Sequence, residues 1–548
     1  MKYYKLPKSN NWPNISIVLL LIITLIFGSV TASNHGLSWD EPLFYNYADS
    51  IGYAYSIPAR LDGTFDLNKA YGISPDEHKQ YGPAYLLIAK PVTDAIERIP
   101  GLDEPAAWHF VNFLTFQIGV LFFYLLCKRW MKSWAAFFTA GFFSTQPLLF
   151  GHGFINPKDI PFTVFFIIAV YFGLRMGDSI SNIPDGSREY NLKALKNIST
   201  IQKIVVSLAV IAGTLTIFLF AGSRWMVSWI ETLLRRAYAA PIGDLLRQIF
   251  IMFAPNADGR PVTPYINKAL MVFSQAKISL LVFAILLVAI AVFMKFKEKT
   301  VVEIYQEISQ TKVSSLMVVV AGVFIGLTTS IRVLGPLAGL LICIYLLTRY
   351  GCRTLGIIFI YGVIAILVCY TTWPYLWASP IDNFIAVLKH MSDNPKPVGL
   401  LFNGVPTTSV MLPITYMPKM LAFTLTEPVW LLYIIGIFHA ATRHKRDKNA
   451  WKSLLVPFGW FLIPFFYVLM QRPAMYDGIR HFLYMLPGVF LVAGMGFQEM
   501  IEWMKLKWVT AVLAVALLLP GIIGIIRLSP YEYAYYNTFT SGMQGAFR

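Results

Sequence analysis

Charge is scarce in this chain: only 14% of its 548 residues are Asp, Glu, Lys or Arg, against roughly 25% in a soluble domain. A water-soluble globular protein is thereby excluded. Cysteine is scarcer still. The four present, Cys127, Cys343, Cys352 and Cys369, lie in or beside apolar runs, so neither a disulfide framework nor a zinc-finger or CxxC spacing is present. Low-complexity segments and internal repeats are lacking too. Acids are the rarer sign: 29 Asp and Glu against 45 Lys and Arg give a formal net charge of +16. In a soluble chain that excess would point to a nucleic-acid partner. Here none is expected, because membrane insertion retains Lys and Arg on the cytoplasmic side.

What fills the chain is apolar, 56% hydrophobic and 15% aromatic. Lys2, Lys5 and Lys8 precede a run from Ile15 to Val30, which reads as an uncleaved first transmembrane helix with a cytoplasmic N-terminus. Further runs of spanning length lie near 106–127, 134–152, 160–177, 204–222, 278–296, 314–333, 335–350, 354–373, 428–442, 453–470, 481–498 and 507–527. The expected fold is therefore an all-α integral membrane protein with about thirteen transmembrane helices, a polytopic domain over 1–527 and a short extracytoplasmic tail, 528–548. The loops this topology puts inside are basic: Lys128 to Lys132, Lys295 to Lys299, Arg349 with Arg353, Arg443 to Lys448, and Lys505 with Lys507. That agrees with the positive-inside rule. The long outer loops, 32–105, 223–277 and 374–427, exceed ordinary connectors and are expected to carry short interfacial helices and function. Within them, Arg224 to Arg236 mixes Trp, Leu and Arg at helical spacing, which suits either a helix in the headgroup plane or one packed on its neighbours.

Ionisable residues near span ends are functional candidates, since charge is costly there. Four clusters fall on the outer face. Ser38-Trp39-Asp40-Glu41-Pro42 reads either as a helix start with Asp40 as N-cap, or as a carboxylate able to act as general base on an acceptor hydroxyl. Asp76-Glu77-His78-Lys79 reads as a polar turn, or as a Lys placed as a point charge for phosphate. Gly151-His152-Gly153-Phe154-Ile155-Asn156-Pro157-Lys158-Asp159 packs a His, a Lys and an Asp between two apolar runs, with Asp159 suited to capping the next helix. Arg332 sits between two apolar runs and Arg480-His481 begin another; each should face an anion unless it snorkels to the headgroups. Carboxylates and cations gathered on one face suit group transfer from a lipid phosphate. The alternative is a secondary transporter or a flippase of an anionic or lipid-linked solute, whose site would lie nearer the midplane.

The order of these motifs resembles the GT-C fold of polyprenyl-phosphate-sugar-dependent glycosyltransferases, notably the protein O-mannosyltransferase family (glycosyltransferase family 39) and the bacterial lipid A aminoarabinose transferases. Asp40-Glu41 is similar to the Asp-Glu signature of the first outer loop, and Glu77 and Lys79, with His78 between them, to a Glu-Lys motif. Asp159 is similar to a second family acid, and Arg480 to a late Arg that contacts the lipid phosphate. The resemblance implies an inverting transferase that moves a monosaccharide from a polyprenyl-phosphate carrier to a lipid, glycan or protein acceptor outside a bacterial plasma membrane. In that scheme Asp40, Glu41 and Asp159 are catalytic; Lys79, Arg332, Arg480 and His481 bind the donor phosphate; Glu77, His78, His152 and Lys158 are further site candidates. No cofactor is required. Asp40, Asp159, His152 and His481 are metal-ligand types, but no spacing binds them into one metal site.

Overall fold

The computed structural model describes residues 11–180, 200–241, 244–253, 261–296, 311–393, 397–446, 450–504 and 506–546. Of the basic segments that orient the chain, Lys2, Lys5, Lys8, Lys297, Glu298, Lys299, Asp447, Lys448 and Lys505 lie outside these residues. The chain is an all-α integral membrane protein. Each of the thirteen apolar runs falls on helix. Among the described residues, seven helices are long and apolar enough to cross a membrane, or nine if two bent pairs each count as one span. Of the four runs left uncounted, 278–296 lies in Thr263–Phe296, several of whose side chains fall outside the described residues, and the other three have local causes. Pro147 splits the 134–152 run into Ser133–Ser144 and Pro147–His152, Ser315–Ile331 is short, and Pro336–Thr372 counts once although Gly351, in a left-handed conformation, separates two runs.

The chain divides into two compact units, one of residues 1–181, 312–465 and 472–548, the other of 182–311 and 466–471. In the first, two spans are central: 83% of the best window of Asp159–Asp178 is buried, and 89% of that of Arg480–Trp503. Trp12–Asn34 and Trp508–Leu528, at 22%, leave most of their apolar surface for lipid. Packing without a hydrophobic driving force favours small residues that let backbones meet. Gly436 and Gly496 do this where Glu427–Arg446 and Leu486–Trp503 touch; a Cβ on either would collide with a carbonyl of the other helix. A Cβ on Gly82 would likewise collide with the Ser330 carbonyl, so the turn before Ala84–Glu97 lies directly on the end of Ser315–Ile331. That contact brings the first long loop to Arg332.

The loop between 374 and 427 includes a β-hairpin, Gly399–Phe402 against Val405–Thr408, turned by Asn403 and Gly404 at positive φ. After Lys507–Leu528 the chain folds back onto the bundle. Asn537 Nδ2 donates to the Ala422 and Leu425 carbonyls at 2.8 Å each, and the Thr538 N–H donates to Glu427 Oε1 at 2.7 Å.

In the second unit, Ala209, Ala212, Ala284 and Leu287 pack Thr200–Ala221 against Thr263–Phe296. The following helix, Ser223–Ala239, bends 67° away from Ser207–Ala221 and buries only Ala237, while Trp225 and Trp229 stay exposed. Of the two readings for this stretch, that exposure favours the headgroup plane.

The Gly82 contact makes a direct prediction. Gly82→Ala should cost about 1–3 kcal/mol, the usual range for overpacking, read as a lowered thermal midpoint in detergent. Gly52→Ala, where a Cβ meets nothing within 4 Å, should leave the midpoint unchanged.

Candidate functional site

Glu41 opens the helix Glu41–Ile51 and reaches back to accept the Ser38 N–H at 2.5 Å, which closes the turn leading into the helix. Asp40 occupies the N-cap position, yet its side chain caps nothing. Its Oδ2 instead accepts from Lys158 Nζ at 2.9 Å, from an Arg480 Nη at 2.9 Å and from Asn156 Nδ2 at 3.3 Å. All three donors converge on one oxygen, so Oδ1 is the oxygen left for other chemistry.

Asn156 is the hinge of the second loop. Its φ of 64° is left-handed, a region that Asn tolerates better than most residues. Its N–H donates to Glu41 Oε1 at 3.0 Å and its amide to Asp40, so both acids of the first loop hold the second. Lys158, rather than the expected Asp159, is the N-cap of Asp159–Asp178, without a side-chain cap. Its ammonium reaches Asp40 across the rings of Phe44 and Tyr81, at 4.4 and 4.9 Å from their centroids. Asp159 is free for another partner. It is buried, hydrogen-bonds to Arg332 and lies 4.0 Å from His481 Nδ1.

Arg332 occupies an extended link between Ser315–Ile331 and Pro336–Tyr350 and also donates to the His481 carbonyl at 3.4 Å. Arg480 starts the turn Arg480–Met485 and touches the half-exposed Asp477 at 3.3 Å as well as Asp40. Around these pairs, several buried polar atoms have no protein partner: Asp159 Oδ2, Arg332 Nε, Arg480 Nε, His481 Nε2, His152 Nδ1 and Asn156 Oδ1. Buried polar groups normally find partners. A concentration of unmet ones that includes two guanidinium Nε donors suits a polar and anionic ligand. Among the described residues, no group of three or more His, Cys, Asp or Glu side chains is arranged to hold a metal ion.

Burial pushes the Asp40 carboxyl upward, but the charges and hydrogen bonds of Lys158 and Arg480 outweigh it and hold the pKa below the usual carboxylate range. Glu41 is also lowered: burial opposes this, while His109 and the Ser38 and Asn156 N–H groups prevail. Both are therefore ionised at neutral pH.

The structure brings together Asp40, Glu41, Lys158, Asp159, Arg332, Arg480 and His481, with His152 in electrostatic range of Asp159 and Arg480. The Glu77-His78-Lys79 turn does not join their ion pairs. Lys79 lies 5.4 Å from the Tyr71 ring and offers its carbonyl to the Trp373 indole. His78 is buried, stacked on Tyr47 and bonded to the Tyr71 carbonyl at 2.5 Å. Glu77 sits half-buried in the same short helix, Pro75–His78. Sequence reasoning missed Asn156 as a site residue and missed His109, whose Nε2 lies 3.2 Å from Glu41 Oε1. A histidine inside the 106–127 apolar run was the available signal.

No protein-family model matches the chain, and no curated protein is similar to it. Its fold is similar to the crystal structure of the Archaeoglobus fulgidus oligosaccharyltransferase in the apo form, at 13% identity and a TM-score of 0.44. It is also similar to the archaeal oligosaccharyltransferase AglB from Archaeoglobus fulgidus in complex with an inhibitory peptide and a dolichol-phosphate, at 12% identity and a TM-score of 0.43. Each likeness covers 96% of this chain, which spans 56% of the length of those structures.

Two predictions follow the charges. Arg332→Ala leaves Asp159 buried and unpaired and should cost about 3–5 kcal/mol, while adding Asp159→Asn should recover part of that loss in the same unfolding assay. The depressed carboxylates stabilise the fold fully above their unfolded pKa values, and this contribution disappears as pH falls through the lower folded values. Stability should therefore decline below about pH 4, and Glu41→Gln should flatten the acid limb.

Proposed function

We propose that this protein is a membrane glycosyltransferase of the GT-C type, transferring a monosaccharide with inversion from a polyprenyl-phosphate carrier to an acceptor hydroxyl on the extracytoplasmic face. The observation that carries this reading is the pairing of two carboxylates, Asp40 and Asp159, with Lys158, Arg332 and Arg480, amid buried donors that have no protein partner. A transferred sugar needs a base for the acceptor proton and cations for the departing phosphate. Both lie within one cluster.

In this mechanism the acceptor atom attacks the anomeric carbon as its bond to the phosphate oxygen breaks. The acceptor proton passes to Asp40 Oδ1, and the polyprenyl phosphate leaves as an anion. Asp40 is a weak base in the resting site because Lys158 and Arg480 favour its ionised form. It therefore takes the proton late, once the new bond has acidified the acceptor. Arg480, Arg332 and His481 face the leaving phosphate, and Asp159 keeps Arg332 in place. Glu41, fully buried and committed to Ser38, Asn156 and Tyr45, positions the loops rather than touching substrate. Lys79 stands outside these ion pairs and belongs to the donor's approach. The acceptor is a protein, a lipid or a glycan.

The test uses purified protein in nanodiscs with a polyprenyl-phosphate sugar. Asp40→Asn should lower kcat by roughly 100-fold or more, the scale of general-base catalysis; transfer at the wild-type rate would remove Asp40 from the base role. Arg480→Ala should raise the donor KM, and an unchanged KM would strike it from the phosphate set.

A further inference from the structure

Behind the site lies a second set of buried ionisable groups, of which the mechanism above uses only Glu41. His35, His109, Glu41 and Glu532 are each at most 5% exposed. His35 follows the first span; its Nδ1 meets the Thr31 carbonyl at 2.9 Å and its Nε2 meets Glu532 Oε2 at 3.2 Å. His109 repeats the pattern one residue along. Its Nδ1 meets the Ala32 carbonyl at 3.1 Å and its Nε2 faces Glu41 Oε1 at 3.2 Å.

A carbonyl oxygen can only accept, so each Nδ1 carries a hydrogen. Each Nε2 then faces a carboxylate oxygen, in a hydrogen bond between His35 and Glu532 and in a close contact between His109 and Glu41. The two pairs are neighbours: the rings are 6.1 Å apart, edge to face. Phe154, two residues before Asn156, stacks on His35 at 4.0 Å. The segment carrying Glu532 also presses on the helix leading into the Asn156 loop. A Cβ on Gly151 would collide with the Tyr533 N–H, and the Tyr533 ring lies 5.9 Å from His152.

We propose that Glu532, on the segment after the last span, is a positioning residue for the site: through His35 and Phe154 it fixes the loop of Asn156, which Glu41 and His109 secure from the other side. The Asp40 and Asp159 carboxylates are thus aligned by a residue that touches neither. The kinetic arm of the test rests on the transferase reading; the exchange arm does not.

Hydrogen–deuterium exchange is measured on the full-length protein in nanodiscs. Glu532→Ala leaves His35 Nε2 without an acceptor and should speed exchange at least tenfold in residues 36–46 and 152–158, with residues 486–500 unchanged. Glu532→Gln should restore much of the protection, because its amide can donate to Nε2 of a neutral His35. Faster exchange confined to 528–540, or no rescue by Gln, would overturn the proposal. If Glu532→Ala does not fold, Glu532→Asp, which withdraws the carboxylate by one methylene, takes its place under the same criteria. With a polyprenyl-phosphate sugar, the Ala variant should lose about tenfold in kcat at a donor KM within twofold of wild type, as expected for misplaced rather than missing groups. A KM change without a kcat change would also overturn it. Absence of transfer by the wild type would instead count against the transferase reading and leave the exchange result to decide this one.

Discussion

One constraint organises this molecule: a carboxylate buried within a helical bundle must be neutralised where it stands. Asp40 meets it by sharing one oxygen between Lys158 and Arg480, which stand far apart in the sequence. Asp159 meets it through Arg332. The Asp40 pairs tie the first loop to the starts of two spans, and the Asp159–Arg332 pair ties the start of one to the end of Ser315–Ile331, so the cluster fixes where the central spans sit relative to the first loop. The two most buried spans are those that begin with Asp159 and Arg480. The chemistry proposed for the site and the packing of the bundle therefore rest on the same contacts.

The strength of those contacts also sets the character of the site. A carboxylate held ionised by two cations is well placed but weakly basic, and its partners remain cationic whether or not a ligand is bound. The unmet polar atoms lie on the two guanidiniums, on His152, His481 and Asn156, and on Asp159 Oδ2. Such an arrangement receives an anion without first breaking its own pairs, since each guanidinium bonds its acid through a terminal nitrogen and keeps Nε apart.

Much of this was legible from sequence because the physics is local. Apolar runs of spanning length located the long helices of the bundle, though not the short ones of the loops such as Glu41–Ile51 and Ala84–Glu97, and charge at span ends located Asp40, Lys158, Asp159, Arg332 and Arg480. What was not legible depends on distant residues meeting. Asp159 looked like a helix cap, and only the fold shows that Arg332, 173 positions away, takes its carboxylate. Lys79 was expected to bind the donor phosphate and Lys158 was only a further candidate, yet it is Lys158 that Phe44, Tyr81 and Asp40 surround. The hairpin at 399–408 was missed although Asn403-Gly404 is a strong local turn signal, because its flanking strands are too short to alternate visibly.

The partnership of His35 with Glu532 spans 497 positions, nearly the whole chain. His35 is therefore made well before the acid it meets, and until residue 532 has been synthesised and has reached the bundle, the corner after the first helix holds a ring nitrogen with no carboxylate to face. A chain cut before residue 532 would keep the spans that precede the cut and lose the acid that fastens this corner to the loop of Asn156.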